Sequence, residues 1–462
     1  MNKNSNILSL IIAVLVGKLT ILSACDPNTG TFAKQPNIIF ILADDLGIHQ
    51  LGCYGSIFYE TPGIDRLAQE GMKFENAYAA STVCSPTRAS IMTGKYPARL
   101  HLTDYIPGKV PTNTLLSVPE WTKQLLSEEI TIAEVLKSAG YATGHFGKWH
   151  LNRDKNYKAG RPGDPGSQGF DDVLCTHKPG AGPAGPYAED WHHVREITER
   201  ALSFIDNNRE VPFFCYIAHN SIHAPEIENQ GQIDKYKEKY GAETGGRLNP
   251  VQAAMLETLD ESIGIIMKRL TDLDLEGNTL LVFFSDNGQL GVKSGLPYRG
   301  SKGDLYEGGI RMPLIIRWPE IVKPASTCEA LVISNDFFPT FSELAGVKVK
   351  IKDIDGMSLV PVLMDPANKL SRPALYWHYP HYHGSGLGPM GAVRQGPYKL
   401  IEWYEKTIFV SGGSVELYNL ENDPAEQINL ADSLPDLATQ MSHDLQAWRT
   451  KVGAQEMEKR KL

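Results

Sequence analysis

The sequence predicts an α/β fold: a large central, mostly parallel sheet flanked by helices, with a smaller C-terminal domain of antiparallel sheet plus helix. Short apolar runs such as N-I-I-F-I-L at residues 37–42 match strands that are buried on both faces, as parallel strands usually are. Before residue 354 these runs alternate with helical patterns, which is the order that α/β folds show. After residue 354 the pattern changes to short alternating stretches, which are typical of antiparallel strands.

The same patterns predict the individual elements. Strands are predicted at 37–42, 73–78, 141–146, 211–218, 279–285 and 314–318, and in the C-terminal part at 374–379, 398–402 and 415–420. Helices are predicted at 60–70, from 83 onward, and at 131–139, 192–206, 249–270, 335–345 and 434–452. Thr131 and Glu134 match a capping box, and Gly140 suits a helix exit. Residues 105–126 and 154–187 show no clear period and are predicted to be irregular loops, which are often functional.

The N-terminus predicts export. Lys3 precedes an apolar run at 7–16 that is too short to span a membrane, and Leu22-Ser23-Ala24-Cys25 resembles a bacterial lipoprotein signal with Cys25 as the lipid-bearing residue. The alternative is a plain secretory signal with a coincidental cysteine. We therefore expect a lipoprotein signal peptide at 1–24, a tether at 25–36, a large domain at 37–353 and a smaller one at 354–462. The expected location is the periplasm or the outer membrane, with membrane contact only through the N-terminal lipid.

Composition narrows the class of partner. The chain has 462 residues and a net charge of −9, so a nucleic-acid partner is not expected, and an anionic substrate must meet a local basic pocket. Besides Cys25 and Cys84, the cysteines are scattered without metal-site or dense disulfide spacing, and the sequence does not pair them.

The stretch V-C-S-P-T-R-A-S-I-M-T-G at 83–94 predicts a helix whose first turn carries the chemistry. Pro86 suits the first helical position, and Cys84 then lies at the end where free N–H groups and the helix dipole favour anions. Arg88 falls one turn further on the same face. The alternative for Cys84 and Arg88 alone is a buried cysteine near a salt-bridging arginine.

Polar residues follow the apolar strands at the edge where open α/β sheets bind ligands. Asp44-Asp45 and Asp286-Asn287 offer carboxylate and amide oxygens, which suit Ca²⁺ or Mg²⁺ and not a soft metal. Their alternative is a solvated loop. Basic groups follow other strands and loops: Lys148, His150, His223 and Lys302. Each of these, taken alone, could equally be a surface or hydrogen-bonded loop residue.

Taken in order, these motifs resemble the type I sulfatases of the alkaline-phosphatase superfamily. The resemblance covers about residues 37–319, and its components are Asp44-Asp45, Cys84-x-Pro-x-Arg88, Gly147-Lys148-x-His150, His223-x-Pro225, Asp286-Asn287-Gly288 and Lys302.

The resemblance implies a sulfuric ester hydrolase in which a formylglycine-generating enzyme oxidises Cys84 to formylglycine, which is hydrated to a diol that attacks sulfur. It implies that the metal, Ca²⁺ or alternatively Mg²⁺, is held by Asp44, Asp45, Cys84, Asp286 and Asn287. It further implies that Arg88 orients the diol, that Lys148 and Lys302 bind sulfate oxygens, that His150 assists the diol's proton transfers and that His223 protonates the leaving oxygen.

The substrate expected for an exported enzyme of this kind is a sulfated carbohydrate, and our choice is exo-acting removal of sulfate from galactose or N-acetylgalactosamine. The mixed aromatic and histidine stretch at 377–383 suits a sugar surface but equally a packed strand and its turn. Candidate substrate-binding residues are His101, Asp104, His378, His381, His383 and Arg394. The alternatives are a small aryl sulfate as substrate, a phosphate or phosphonate monoester hydrolase on the same scaffold, and a non-catalytic lipoprotein that binds sulfated glycan.

Overall fold

The computed structural model describes residues 25–26, 31–32, 34–109, 111–177, 189–240, 248–291, 297–348, 351–409 and 415–460. The signal peptide predicted at 1–24 lies outside the described residues, and so does the side chain of Cys25, the predicted lipid-bearing residue. Within the described ranges, no helix combines the length and the apolar character needed to cross a bilayer.

The described residues form a large sheet that confirms the predicted α/β class. Its strands are, in chain order, β1 (Asn37–Ala43), β2 (Met72–Phe74), β3 (Ala142–Gly147), β4 (Asp172–Cys175), β5 (Phe213–Ala218), β6 (Thr279–Ser285), β7 (Leu314–Arg317) and β8 (Ser326–Cys328). Their spatial order is β8-β2-β7-β6-β1-β5-β3-β4. Strand β7 pairs antiparallel with both neighbours, whereas the other pairs in this sheet are parallel.

Helices cover both faces of this sheet. The described helices are α1 (Pro62–Glu70), α2 (Cys84–Thr93), α3 (Pro97–Leu100), α4 (Ile132–Ser138), α5 (Val194–Asn208), α6 (Gln230–Tyr240), α7 (Pro250–Asp272), α8 (Glu307–Ile310), α9 (Phe337–Leu344), α10 (Val360–Met364), α11 (Tyr404–Phe409) and α12 (Pro435–Val452). Alternate residues of β1 belong to two separate cores: Phe40 packs with residues of α2, α4 and α9, and Ile41 packs with residues of α1, α5 and α7. Strand β1 is therefore apolar on both faces, which is why its sequence shows no alternation.

The C-terminal part contains a smaller antiparallel sheet, as predicted. Its strands are β9 (Leu375–Tyr379), β10 (Met390–Gln395), β11 (Tyr398–Trp403) and β12 (Val415–Asn419), and each pairs antiparallel with the next. Helix α12 packs on this sheet through a core that also contains Tyr78, Val83 and Tyr306 of the larger domain. The domain boundary predicted after residue 353 stays a prediction.

Smaller two-stranded pairs complete the described structure: Cys25–Asp26 with Thr31–Phe32, Ala77–Tyr78 with Val332–Ile333, and Leu116–Ser117 with Glu458–Lys459. The capping box predicted at Thr131 is present, since its hydroxyl accepts from the Glu134 N–H and the Glu134 carboxylate accepts from the Thr131 N–H.

The structure differs from several local predictions. The single strand predicted at 73–78 is divided into β2 and the separate strand Ala77–Tyr78. Pro86 occupies the third position of α2 and not the first, because helical backbone already begins at Cys84 after the extended residue Val83. The stretch 154–187, predicted to be irregular, contains the 3₁₀ turn Pro165–Gln168 and strand β4, and its residues 178–188 lie outside the described part. Helix α6 was not predicted, because its sequence Q-G-Q-I-D-K-Y-K-E-K-Y has few apolar residues to show a period.

Candidate active site

Four neighbouring parallel strands end together at one edge of the large sheet. Ser285 of β6 pairs in register with Ala43 of β1, and Ala218 of β5 pairs with Leu42 of β1 and with Gly147 of β3. The residues that follow these strands must therefore meet above the same edge, where open α/β sheets bind ligands. The structure brings Asp44, Asp45, Lys148, His223, Asp286 and Asn287 together there.

Helix α2 points its first residue into this cluster. The Cys84 Sγ lies 3.5 Å from Asp44 Oδ1, 3.9 Å from Asp45 Oδ1 and 3.3 Å from Lys302 Nζ. The side chain is 1% exposed, so these contacts are shielded from bulk water. Cys84 is thus the point where the acids that follow β1 meet a lysine from a separate loop.

Arg88 holds the cluster together from one helical turn beyond Cys84. Its Nε and Nη2 donate to Asp286 Oδ2 at 2.9 and 2.8 Å, and its Nη1 donates to the Lys148 carbonyl at 2.7 Å. A planar guanidinium can make these bonds in fixed directions at once, which an ammonium cannot. Arg88 therefore ties α2 to the ends of β6 and β3.

The buried acids are balanced by buried bases. Lys148 Nζ lies 2.6 Å from Asp44 Oδ2, and Lys302 Nζ lies 2.5 Å from Asp45 Oδ1. Burial opposes ionisation of the Asp44 carboxyl, but the positive charges of Lys148, Arg88 and Lys302 outweigh it and hold the pKa of this carboxyl well below the ordinary value. The site therefore contains both ionised carboxylates and protonated ammonium groups. Because they are buried in a medium of low dielectric constant, these charges interact strongly.

The Cys84 thiol is not activated by this setting. Burial and the nearby Asp286 carboxylate raise its pKa to about 12, against the opposing effect of Lys148. Since the thiolate is the nucleophilic form of cysteine, an unmodified Cys84 stays in the unreactive thiol form near neutral pH.

The oxygen atoms at the strand ends fit a divalent cation. Asp45 Oδ2 and Asn287 Oδ1 are buried and have no hydrogen-bond partner among the described residues. Among the donors that the structure describes, Asp286 Oδ1 accepts only the Asp45 N–H, at 3.3 Å, and so keeps a lone pair. Orphaned buried oxygens of this kind are costly unless a cation or water satisfies them, and carboxylate and amide oxygens suit Ca²⁺ or Mg²⁺.

A purely geometric grouping gives a slightly different donor set. Ligand atoms of Asp44, Asp45, Cys84 and His223 lie within 4.8 Å of one another. We favour the oxygen set with Asp286 and Asn287, because carboxylate and amide oxygens suit the hard cations Ca²⁺ and Mg²⁺, whereas an imidazole nitrogen suits softer metals.

The two histidines present defined nitrogen atoms to the site. His223 Nδ1 lies 2.7 Å from the Ala224 carbonyl, so Nδ1 carries the hydrogen and Nε2 faces the Asp45 carboxylate. His150 Nε2 lies 2.6 Å from the Ile106 carbonyl, which leaves its buried Nδ1 without a partner among the described residues. Burial lowers the pKa of both imidazoles, for His223 to about 4, which favours the neutral form.

A cavity of about 760 Å³ opens onto Cys84. Its described walls include Lys148, His150, His223, Lys302 and His383, together with residues not predicted as functional: Tyr105, Ile106, Pro107, Trp149, Asn152, Arg153, Asp154, Lys155, Asn156, Tyr157, Asp164, Cys175, His177, Asn220 and Leu290. The only sequence signal for these walls was the irregular character of the stretches around 105–126 and 154–187. The volume is in the range of small-molecule sites.

Of the predicted substrate-binding residues, His383 lies in the described cavity wall, and the other five do not. His101 Nε2 contacts the Gly453 carbonyl at 2.8 Å, and His378 contacts the Tyr404 hydroxyl at 2.6 Å and the Gln455 carbonyl at 2.8 Å. Arg394 donates to the Tyr78 hydroxyl and, at 3.1 Å, to Asn76 Oδ1.

Asp104 and His381 lie one layer behind the cavity. Asp104 Oδ1 accepts from the Tyr379 hydroxyl at 2.9 Å, and His381 Nε2 lies 2.8 Å from Thr103 Oγ1. Both side chains are almost fully buried, and they support the Tyr105–Pro107 part of the wall from behind.

Comparison with known proteins agrees with this site. Residues 36–347 match the family model for sulfatases, and residues 301–451 match the model for the C-terminal region of N-sulphoglucosamine sulphohydrolase. The chain belongs to the sulfatase family and is a sulfate ester hydrolase.

Individual relatives cover most of the chain. Human arylsulfatase A is 32% identical in an alignment that covers 86% of this chain and 84% of that protein. The N-acetylgalactosamine-6-O-sulfatase of Bacteroides thetaiotaomicron is 29% identical in an alignment that covers 95% of this chain and 98% of that protein. The crystal structure of Ps i-CgsB in complex with k-i-k-neocarrahexaose superimposes with a TM-score of 0.75 at 26% identity, covering 90% of this chain and 93% of that one.

Proposed function

We propose that this protein removes sulfate from an extracellular sulfated carbohydrate, acting from the chain end on galactose or N-acetylgalactosamine sulfate. The observation that carries the proposal is Cys84 at the base of a cavity of about 760 Å³, with Lys302 at 3.3 Å and the paired acids Asp44 and Asp45 beside it. The proposal includes formylglycine at position 84, a divalent cation, Ca²⁺ or alternatively Mg²⁺, and export as a lipoprotein anchored through Cys25.

Two groups supply chemistry that the ordinary side chains lack. A cation held by Asp44, Asp45, Asp286 and Asn287, next to residue 84, would lower the charge cost of ionising the nucleophile and polarise a sulfate oxygen. Formylglycine hydrate at position 84 would provide one hydroxyl to attack sulfur and a second whose ionisation expels sulfate. The high pKa of the unmodified thiol supports the need for such a conversion.

The lysines are placed to bind the sulfate group. Lys302 Nζ contacts both Cys84 Sγ and Asp45, and Lys148 Nζ contacts Asp44, whose carboxylate also contacts Cys84, so both ammonium groups lie close to the reacting position. Both stay protonated, because the buried acids beside them outweigh the effect of burial and raise the pKa of each ammonium. Fixed positive charges of this kind stabilise the charge that develops on sulfate oxygens.

Proton transfer falls to the two histidines. His150 keeps its hydrogen on Nε2 against the Ile106 carbonyl, so its partnerless Nδ1 is the atom that accepts a proton from residue 84. His223 keeps one hydrogen on Nδ1 against the Ala224 carbonyl, so Nε2 is the atom that takes up a second proton from water, and the imidazolium formed in this way donates that proton to the leaving oxygen. Both rings line the cavity, within reach of a bound ester.

The substrate class is supported by the cavity and by relatives. The cavity has the volume of a small-molecule site and carries the aromatic and amide side chains Tyr105, Tyr157 and Asn152, which suit a sugar. A similar protein is an N-acetylgalactosamine-6-O-sulfatase, and a similar structure holds a carrahexaose. A cavity of this volume has room for a terminal sugar, which favours a chain end over the middle of a polymer.

The test is a panel of substrates given to protein produced with a formylglycine-generating enzyme. The panel contains N-acetylgalactosamine 4-sulfate and 6-sulfate, galactose 6-sulfate, 4-nitrophenyl sulfate and 4-nitrophenyl phosphate. We expect release of sulfate from at least one sugar, a peptide around residue 84 lighter than the cysteine form, and no activity in Cys84→Ala.

In the native host, Cys25→Ser should move the protein from the membrane fraction to the soluble one.

Several outcomes would contradict the proposal. Faster turnover of the phosphate ester than of any sulfate would favour the phosphoester hydrolase alternative. An unmodified thiol at position 84 in protein from its native host, with binding but no turnover of sulfated sugars, would favour the glycan-binding alternative.

A further inference from the structure

The cavity carries positive charge at two levels. Lys148 and Lys302 lie at its base and are at most 5% exposed, whereas Arg153 and Lys155, which also line it, are exposed on the segment that follows His150. The basal pair is engaged by Asp44 and Asp45, but the outer pair has no role in the proposed reaction. Because the chain as a whole has a net charge of −9, its overall charge does not explain two cations beside the active site.

The acids of the same segment do not neutralise this outer pair. Asp154 and Asp164 both bind Arg161, whose Nη1 lies 2.5 Å from Asp154 Oδ2 and whose Nη2 lies 2.9 Å from Asp164 Oδ2. Among the described residues, Arg153 and Lys155 form no ion pair. Arg161 thus takes up the acidic side chains and leaves the two cations at the cavity mouth available.

The segment that carries the two cations is held in place. Trp149 Nε1 donates to the Gly163 carbonyl at 2.8 Å, Asn152 Nδ2 donates to Asp164 Oδ1 at 2.8 Å, and the Lys158 N–H donates to Asp164 Oδ2 at 2.8 Å. Asp164 is buried and accepts the bonds from Asn152 and Lys158 while paired to Arg161, so it acts as the hub of a closed loop. Arg153 and Lys155 are therefore carried on a preformed loop, which limits the entropy lost on binding.

Lys155 also lies close to His177, another residue of the cavity wall. The pKa of the His177 imidazole is lowered by burial and by the positive charge of Lys155, and His177 lines the cavity as well. A neutral imidazole and two cations therefore share this side of the mouth.

We infer that Arg153 and Lys155 form a second anion subsite, which binds a sulfate or carboxylate group of the substrate other than the one being hydrolysed. This deepens the proposed function and rests on it, since it takes the base of the cavity as the position of the scissile sulfate. The substrate class becomes a carbohydrate with at least two anionic groups, either a second sulfate or the carboxylate of a neighbouring uronic acid. A guanidinium can bind either oxyanion with two parallel hydrogen bonds.

The kinetic test compares substrates that differ by one anion. The probes are N-acetylgalactosamine 6-sulfate, N-acetylgalactosamine 4,6-disulfate, and the disaccharide of a uronic acid with N-acetylgalactosamine 6-sulfate. For the double variant Arg153→Gln/Lys155→Gln we expect kcat/KM to fall about tenfold on a doubly charged probe, mainly through KM, and to change less than about twofold on the singly charged one. The two doubly charged probes separate a second sulfate from a carboxylate as the preferred group.

The matched control is Lys158→Gln. Lys158 is an exposed lysine of the same segment, but it is not among the described residues that line the cavity. The variant Lys158→Gln should leave kcat/KM unchanged on all three substrates. Equal loss on singly and doubly charged probes, or the same selective loss in Lys158→Gln, would overturn the inference.

A binding titration separates this inference from the proposed reaction. Calorimetric titration of the Cys84→Ala protein with the 4,6-disulfate and with the uronic acid disaccharide requires no turnover. We expect tighter binding of one of these than of the 6-sulfate, with the difference removed by the double variant and reduced by added salt. If the Cys84→Ala protein shows that preference but the parent protein hydrolyses no sulfate ester, the subsite stands and the proposed reaction is wrong. If binding shows no such preference, the subsite is wrong whatever the activity.

Discussion

At the scale of single residues, the site is defined by buried oxygen atoms with too few hydrogen-bond donors. Asn287 Nδ2 donates to Asp45 Oδ1 at 2.7 Å and Lys302 donates to the same atom, while Asp45 Oδ2 and Asn287 Oδ1 have no donor among the described residues. Burial and the nearby charge of Asp44 raise the pKa of the Asp286 carboxyl to about 6. Such crowding of acids without full compensation is what a divalent cation relieves.

The first prediction at this scale concerns metal content. Replacing Asp45 by Asn removes one carboxylate charge from the predicted cation site, so we expect the affinity for Ca²⁺ to fall at least about tenfold. Elemental analysis after dialysis against graded Ca²⁺ measures this directly, without an activity assay. The control is Asp272→Asn, because Asp272 is an exposed acid at the end of α7 that pairs with Lys268. Equal metal retention in both variants would contradict the oxygen set assigned here.

At the scale of elements, one short segment connects three parts of the fold. The Ile106 N–H donates to the Ser85 hydroxyl oxygen (3.0 Å), and the Ile106 carbonyl accepts from the His150 ring (2.6 Å), so this residue joins α2 to the region after β3. Behind it, Asp104 accepts the Tyr379 hydroxyl at the end of β9. The cavity wall and the orientation of His150 therefore depend on contacts with the C-terminal sheet.

This support should make stability depend on pH. Burial raises the pKa of the Asp104 carboxyl to about 7, above its ordinary value of 3.8, despite the hydrogen bond from Tyr379. The folded protein thus binds a proton that the unfolded chain releases near pH 4. The contribution of Asp104 to stability is present in full below pH 4 and is lost as the pH rises toward about 7, at a cost of up to about 4 kcal/mol.

Asp104→Asn tests this dependence because the amide does not titrate. Urea unfolding at pH 5 and pH 8 should show that the variant gains stability relative to the parent protein as the pH rises. The exposed acid Asp432 provides the control, and Asp432→Asn should follow the parent at both pH values. A pH dependence in Asp104→Asn identical to that of the parent would show that the carboxyl titrates normally.

At the scale of the whole molecule, the two sheets are joined by buried charges. Lys399 of β11 lies 2.9 Å from Glu307 of α8 and 2.9 Å from Glu426, and all three side chains have no exposed area. Burial opposes ionisation of the Glu307 carboxyl, but Lys399 and Arg311 outweigh it and lower the pKa. Glu307 of α8 and Glu426 of the C-terminal part share the ammonium group of Lys399. The interface between the two parts is therefore specified by charge as well as by apolar packing.

Lys399→Met should destabilise the protein by about 3–5 kcal/mol, because it removes the ammonium group that the buried side chains of Glu307 and Glu426 share. Chemical unfolding measures the loss, and the separate unfolding of a C-terminal unit should appear if the interface fails first. Lys451→Met, at an exposed position of α12, is the control and should change stability by less than about 0.5 kcal/mol. A loss in Lys399→Met no larger than in the control would mean that the triad contributes little.

Prediction from sequence succeeded where the signal is local. Strand β6 has the predicted bounds and β1 extends one residue further, because both are continuous apolar runs that end in acids. It failed for strand β10, which contains Gly391 and Arg394 and gains its strand conformation from its neighbours β9 and β11. Helix α6 was missed for the related reason that its stability comes from packing on α7 and not from its own periodicity.

By itself the sequence determined which residues follow the buried strands and that these ends meet, because parallel strands in register must deliver their carboxyl ends to one edge. The sulfatase family followed from the order of those residues. Only the tertiary structure decided which members of the stretch 377–383 reach the cavity: His378 and His381 are covered by Tyr404 and Thr103, while His383 faces it. That choice depends on how the C-terminal sheet packs against a much earlier segment of the chain. The hydrogen bond between Asp104 and Tyr379, for example, joins residues 275 positions apart, and no local sequence pattern encodes a contact over that separation.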